Sequence, residues 1–365
     1  MLRLQAIIKY EQDDIPGTRT ILRKCMSSDP DTLVGLACID FKEGNFESAR
    51  KKFTEAMNAL GYSADLAYNI ALCRYKLKQF GLCLKALAEI IERGVREHPE
   101  LSVGSNGEGI EVRSVGNSQT LKETALIEAF NLKATIEFSL ENFEAAKEAL
   151  SDMPPRTEAE LDPVTLHNQA LINMNDDTEV GFKKLNFLIT QPPFPTETFA
   201  NLLLLYIKYQ YFDVAADVLA ENTHLHESCL SQDLYEYLEA TIMTHSSPSE
   251  AYRKFDELSD KHIEILRRLT KKIQDARIAR DNGKIKESLE SYDVALERYL
   301  PVLMGQAKIY WDIENYEMVE KIFKQSAEFC ADHNIWKRNV AHVFFMQESR
   351  FKDAIRYYEP IVKNH

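Results

Sequence analysis

The sequence is short of residues that interrupt helices. Its 365 residues include only 13 glycines and 12 prolines. That scarcity excludes collagen-like, propeller-like and glycine-loop architectures and points to helix. Cysteine is sparse as well. Cys25, Cys38, Cys73, Cys83, Cys229 and Cys330 form no CxxC pair, so they read as reduced, mostly buried thiols of an intracellular protein. No run of 18 apolar residues occurs, so no helical segment is expected to span a bilayer. The opening MLRLQAIIKYEQDD lacks the charged, apolar, then small pattern of a secretory leader. Positive charge is in deficit: 44 Lys and Arg face 57 Asp and Glu, a net −13. Such a balance argues against nucleic acid or an anionic membrane as the main partner. What is abundant is apolar side chain, at 45%, enough for a packed core.

The apolar residues recur with a period. Aligning LACIDFKEGNFESARKKFTEAM (36–57) with IALCRYKLKQFGLCLKALAEII (70–91) puts Phe46 on Phe80, Ala49 on Cys83, Phe53 on Leu87 and Ala56 on Ile90, an offset of 34. Tyr316 and Phe351 stand 35 apart, and Phe143 and Phe212 stand 69 apart, or two periods. Each unit predicts a helical hairpin. Its first helix carries a large-small pair, as in Leu36-Ala37 and Ile70-Ala71. A turn follows at Gly44-Asn45, Gln79, Asn142 or Asn315. An aromatic then opens the second helix at Phe46, Phe80, Phe143, Phe212, Tyr316 and Phe351. Three residues on comes a small residue (Ala49, Cys83, Ala146, Ala215, Ala354), and four further a large one (Phe53, Leu87, Leu150, Leu219, Tyr358). Spacings of three and four share one helical face. One hairpin cannot bury that face alone, so the units must stack.

This is the pattern of tetratricopeptide repeats. The expected fold is all-α, a right-handed tetratricopeptide-repeat superhelix forming one solenoid over 1–365. Clear units fall near 30–62, 64–96, 127–155, 196–224, 300–332 and 335–365, with weaker ones near 163–190 and 232–258. The first twenty-odd residues also fit, with Ala6, Ile15 and Leu22 in register. Two departures interrupt the array. Residues 94–124 hold Gly94, Gly104, Gly107, Gly109 and Gly116 and read as an inserted surface loop. Their GSNGEG string has no preceding strand and no GKS or GKT after it, which leaves a phosphate cradle without support. Residues 256–299 read as a long helical hairpin joined at Asp281-Asn282-Gly283, with Ile263, Leu266, Leu269, Ile273, Ala276, Leu289, Tyr292 and Leu296 at helical spacing. Both ends lack a polar cap, so the chain reads as a piece of a longer solenoid or one whose ends are covered by partners.

Little in the sequence points to catalysis. His224, His226 and Cys229 form the one tight metal-like cluster, without a second ligand cluster to match. No GxSxG, HExxH or P-loop occurs, and the expectation is a protein with no enzymatic activity, cofactor or metal. The concave face of stacked repeats is lined by first helices. Here it would include Val34, Phe41, Tyr68, Leu72, Tyr75, Asn131 and Phe138, and further on Leu204, Ile207, Trp311, Trp336 and Met346. An apolar, aromatic lining suits an apolar or proline-containing segment of another protein. Chaperone-tail clamps use lysine and asparagine where this chain has Val34/Cys38 and Tyr68/Leu72, which weakens the alternative of a general cytosolic repeat adaptor. A basic stripe at Arg267, Arg268, Lys271, Lys272, Arg277 and Arg280 stands out in an acidic chain. It reads as a solvated helix face or as a dock for an acidic partner.

Several strings are more specific than the repeat itself. They are LAEIIERGVREHPEL (87–101), EGIEVRSVGNS (108–118), EAFNLKATIEF (128–138), ELDPVTLHNQALINM (160–174), PVLMGQAKIYWDIENYEMVEKIF (301–323), NVAHVFFMQE (339–348) and YYEPIVK (357–363). With these the chain resembles the tetratricopeptide repeat protein 30 family, the seventy-kilodalton subunit of the intraflagellar transport B complex. The resemblance covers essentially the whole chain, both departures included, although family members are longer at both ends. It implies a tight superhelix that wraps an extended, proline-containing segment of the fifty-two-kilodalton core subunit, alongside other B-complex subunits. It also implies support of anterograde, kinesin-driven transport and cilium assembly. An indirect part in polyglutamylation of axonemal tubulin follows, with a location in the cilium (axoneme and basal body) and cytoplasm.

Overall fold

The six aromatics of the repeat each occupy the first residue of a helix in the computed structural model, which describes residues 2–26, 29–104 and 113–363. The chain divides into two compact units, Met1–Thr198 and Phe199–His365. The first contains α1 (Leu2–Glu11), α2 (Ile15–Leu22), α3 (Pro30–Lys42), α4 (Phe46–Leu60), α5 (Ala64–Lys76), α6 (Phe80–Glu97), α7 (Gln119–Glu123), α8 (Leu126–Ser139), α9 (Phe143–Ser151), α10 (Pro163–Asn173) and α11 (Thr178–Ile189). The division falls at the start of α12 (Glu197–Lys208). The second unit continues with α13 (Phe212–Glu221), α14 (His226–Cys229), α15 (Gln232–Ser246), α16 (Pro248–Ile278), α17 (Asn282–Trp311), α18 (Tyr316–Cys330), α19 (Asn334–Met346) and α20 (Phe351–Lys363). No strand occurs among the described residues, and no described helix is long and apolar enough to cross a membrane.

One turn recurs. The residue two before the second helix is left-handed at Asp13, Gly44, Lys78, Glu141, Gln210, Arg280 and Glu314, with φ between 53° and 81°. Its N–H bonds back three residues, as from Lys78 to the Tyr75 carbonyl at 2.9 Å. The next N–H bonds back five, as from Gln79 to the Arg74 carbonyl at 2.9 Å and from Asn142 to the Glu137 carbonyl at 2.9 Å. These two bonds are the Schellman motif, which satisfies carbonyls left over at a helix end. Six of the seven positions are not glycine, which is why glycine scarcity did not prevent tight turns. An aromatic pair clasps most of the repeat turns. Phe41 meets Phe46 edge-on at 5.2 Å, Phe138 meets Phe143 at 5.3 Å and Trp311 meets Tyr316 at 5.2 Å. Tyr75 and Phe80 tilt together at 6.0 Å.

The small residues permit close helix approach. Ala49, Cys83, Ala146 and Ala215 are wholly buried, and the Cys83 thiol lies 3.1 Å from the Ala71 carbonyl across its hairpin. Large partners fill the layer behind: Phe53, Leu87 and Ile90 in the first unit, and Tyr299, Leu303, Ile322 and Phe323 in the second. Burying one such side chain contributes about 1.5–3 kcal/mol. Two helix starts are written in the sequence as Asp-Pro pairs. Asp29 accepts the Thr32 N–H at 2.9 Å ahead of Pro30, and Asp162 accepts the Thr165 N–H at 2.9 Å ahead of Pro163, as N-caps before a helix-opening proline do.

The two departures differ from expectation in their detail. The inserted segment is not all surface loop. α6 runs on to Glu97, and Gly94 is a buried helical residue whose missing Cβ would stand 2.8 Å from a Leu126 methyl. Leu101 and Leu121 enter the core beside Leu126, Phe130 and Met153. The Gly104 N–H bonds the Asp152 carbonyl at 2.8 Å, the Val115 N–H bonds the Pro155 carbonyl at 2.9 Å, and Ser114 bonds Glu160 at 2.6 Å. The segment is thereby strapped to the α9–α10 connection. Most of GSNGEG, including Gly107 and Gly109, lies outside the described residues. The long hairpin exceeds its expected bounds. α16 has 31 residues and α17 has 30, fusing the inserted helices with those of the flanking repeats. α17 passes straight through Pro301, which the ladder tolerates at the loss of one N–H bond.

Candidate protein-binding surfaces

In the first unit the structure brings together Tyr68, Leu72 and Tyr75, which pack half-buried over Ala71, Cys83, Leu87 and Ile90. Burial, with Glu128 nearby, pushes the Tyr68 phenol up to about 12, so it stays a neutral hydrogen-bonding group at any physiological pH. Phe41 belongs to a neighbouring cluster with Phe53 and Ile70. Phe138 is 37% exposed. Both Phe41 and Phe138 also clasp their own turns, a role the groove pattern did not announce. Asn131 is buried rather than open. Its amide donates to Thr165 at 2.9 Å and its carbonyl accepts from Asn168 at 2.8 Å.

That asparagine belongs to a polar network missed in the sequence. The Arg156 side chain is only 2% exposed and donates to Asp162 at 3.0 Å, while its Nε has no partner among the described residues. Asp162 also holds Thr165 at the start of α10. The one legible sign was the Asp162-Pro163-x-Thr165 cap. Nearer the chain start, a cavity of about 430 Å³ lies between α1, α2 and α3. Ala6, Tyr10, Leu22, Val34 and Cys38 line it, with Arg3 and Asp31 at its edge.

In the second unit Leu204 and Met346 are exposed at 37% and 42%, and Ile207 is half-buried. Trp311 walls a cavity of about 370 Å³ with Met304, Val319, Phe323 and Val343, rimmed by Lys308, Asn339 and His342. Trp336 is a correction. It is only 5% exposed, and its indole N–H donates to the Ser326 hydroxyl at 2.9 Å. The ring packs against Phe323 and Tyr357, so it is core and not lining. His226 bonds the Leu219 carbonyl at 2.8 Å and lies against Phe199 and Tyr235. Among the described residues no group of three or more His, Cys, Asp or Glu is placed to hold a metal. All six residues of the basic stripe are exposed on α16 and the turn after it.

Stacked helical hairpins closed by one repeated turn, with small residues at most crossings, define a tetratricopeptide-repeat protein. Residues 198–365 match the family described as the intraflagellar transport protein 70 C-terminal domain. Over its whole length the chain is 59% identical to intraflagellar transport protein 70A of Xenopus tropicalis, 60% to that of Danio rerio and 56% to 70B of Homo sapiens. It covers 56% of each of these relatives. Along its whole length the chain is thus similar to proteins named intraflagellar transport protein 70, of which it spans little more than half. A solved tetratricopeptide repeat protein from Parabacteroides merdae aligns at 14% identity and TM-score 0.45, over 71% of this chain and 91% of its own.

Proposed function

We propose that this chain is a non-enzymatic protein-interaction scaffold of the intraflagellar transport B complex. Similarity of 56–60% along the entire chain to relatives named for intraflagellar transport carries this reading. On it, the chain acts in the cilium, at axoneme and basal body, and in the cytoplasm. It supports anterograde transport with a kinesin motor, cilium assembly and, indirectly, tubulin polyglutamylation. Its direct ligand is an extended, proline-containing segment of the fifty-two-kilodalton B-complex subunit, with other B subunits beside it. Two observations favour an apolar ligand: the half-buried Tyr68, Leu72 and Tyr75 surface, and the cavity walled by Trp311. Aromatic anchors of this kind carry most of the energy of an interface. A chaperone-tail adaptor would need basic or amide side chains where Val34, Cys38 and Leu72 stand.

The test is co-expression with the fifty-two-kilodalton subunit followed by size-exclusion chromatography. Co-elution is expected for the wild-type chain. It should be lost on combining Tyr68→Glu and Tyr75→Glu with helicity unchanged by circular dichroism. Separate elution of two well-folded wild-type proteins would remove the proposed grip.

A further inference from the structure

We infer that the tip of the α16–α17 hairpin is a docking site for an acidic protein segment, separate from the groove described above and independent of it. The last residues through which these helices join the α18–α19 core are Leu269 and Tyr292, with Arg267 reaching Glu328 at 3.6 Å. Beyond them the hairpin continues for about 13 Å, and only Ile273 and Ala276 are buried. The tip therefore stands clear of its unit and packs on itself alone.

Its charge is opposite to that of the chain. From 267 to 286, eight Lys and Arg face Asp275 and Asp281 alone, whereas the whole chain is at −13. Lys284 and Lys286 pair locally, with Asp281 and Glu290. Arg268, Lys271, Lys272, Arg277 and Arg280 have no ion pair among the described residues, and all are exposed. Arg267, Arg268, Lys271 and Lys272 fall within two turns on the solvent side of α16, away from buried Leu266 and Ile273. Spacings of three and four keep them on neighbouring positions of one surface. Ile278, two turns on from Lys271, is 82% exposed on that side.

The shape of the patch selects the partner. A nucleic acid or a sheet of anionic lipid extends well past a 13 Å tip and meets the repulsion of the acidic remainder. A short acidic segment can end where the patch ends. The bare Ile278 side chain suits a segment that carries an apolar residue among its carboxylates.

The experiment uses the full chain and fluorescence anisotropy with a short labelled peptide rich in Asp and Glu and bearing one leucine. Single-stranded RNA and phosphatidylserine vesicles are parallel probes. The peptide should bind, more weakly as salt shortens the screening length from about 10 Å at 0.1 M towards about 3 Å at 1 M. Combining Arg268→Glu, Lys271→Glu, Lys272→Glu and Arg277→Glu should weaken it about tenfold or more, and the matching four Gln substitutions less so. The Gln variant, which keeps helix propensity, guards against a folding defect. Absent peptide binding, or binding unmoved in both variants, overturns the inference. RNA or vesicles bound as tightly as the peptide, and lost in the same variants, also overturn it.

Discussion

The hairpin α5–α6 and the hairpin α16–α17 turn identically and then diverge. Lys78 and Arg280 are both left-handed, at 57° and 53°. The following N–H reaches back to Arg74 in one and Ala276 in the other, at 2.9 and 3.1 Å. After the turn, α6 opens on Phe80 against Tyr75 and crosses its partner at the wholly buried Cys83. α17 instead opens on Asn282 under an Asp281 cap, which accepts the Lys284 N–H at 3.1 Å. Local turn chemistry is thus sufficient to make a hairpin. Aromatic and small residues are what let it stack on neighbours. Where they are missing, helix positions are free of core duty and can carry charge.

Core deletion should expose this contrast most strongly. Leu87→Ala, at a wholly buried site, is expected to cost about 2–5 kcal/mol, read as a lower urea midpoint. Ile278→Ala at the tip should change stability by less than about 0.5 kcal/mol. A tip substitution as costly as the Leu87 one would mean the tip is packed against something.

Acid should act next, on the second unit. Burial pushes the Glu320 carboxyl up, but hydrogen bonds from Lys324, Arg350 and Gln347 outweigh it and hold the group at about 2. The folded pKa lies below the ordinary value of 4.5. Its stabilisation is therefore complete above about pH 4.5 and is lost as pH falls towards 2. Hydrogen bonds to a charged group contribute about 1.5–3 kcal/mol. Glu320→Gln should lower stability at neutral pH and flatten the decline between those two values, whereas Leu87→Ala should leave its slope unchanged. An equally steep acid decline in Glu320→Gln would assign it to other carboxylates.

The repeat made much of this legible before any coordinates. Phe46, Phe80, Phe143, Phe212, Tyr316 and Phe351 were placed at helix starts because a fixed offset of aromatic, small and large residues has one helical solution. The left-handed Lys78, Glu141, Gln210 and Glu314 were not legible, because none is the glycine that usually marks such a site. The burial of Leu101 and Leu121 was hidden by the glycines around them, and the fused α16 was missed because the repeat register, with no stop signal near 256, set the boundary there. Groove residues were harder still. Trp311 and Trp336 both lie in first helices, one at the end and one near the start, and the Trp336 indole is held in the core by Ser326 while the Trp311 ring stands on a cavity wall. That choice depends on a hydroxyl in a different helix.

The smallest effect sharpens the comparison most. If the two turns are alike, glycine at their left-handed positions should help both equally. A residue with a Cβ costs about 1–2 kcal/mol there, and glycine returns up to about 1 kcal/mol through the unfolded chain. Lys78→Gly and Arg280→Gly should each stabilise by about 0.5–1 kcal/mol. The first should appear as a raised global midpoint. The second should appear as slower amide exchange at the hairpin tip, because the tip can open without its unit. Equal shifts in the global midpoint would instead show that α16 and α17 unfold only together with the core they leave.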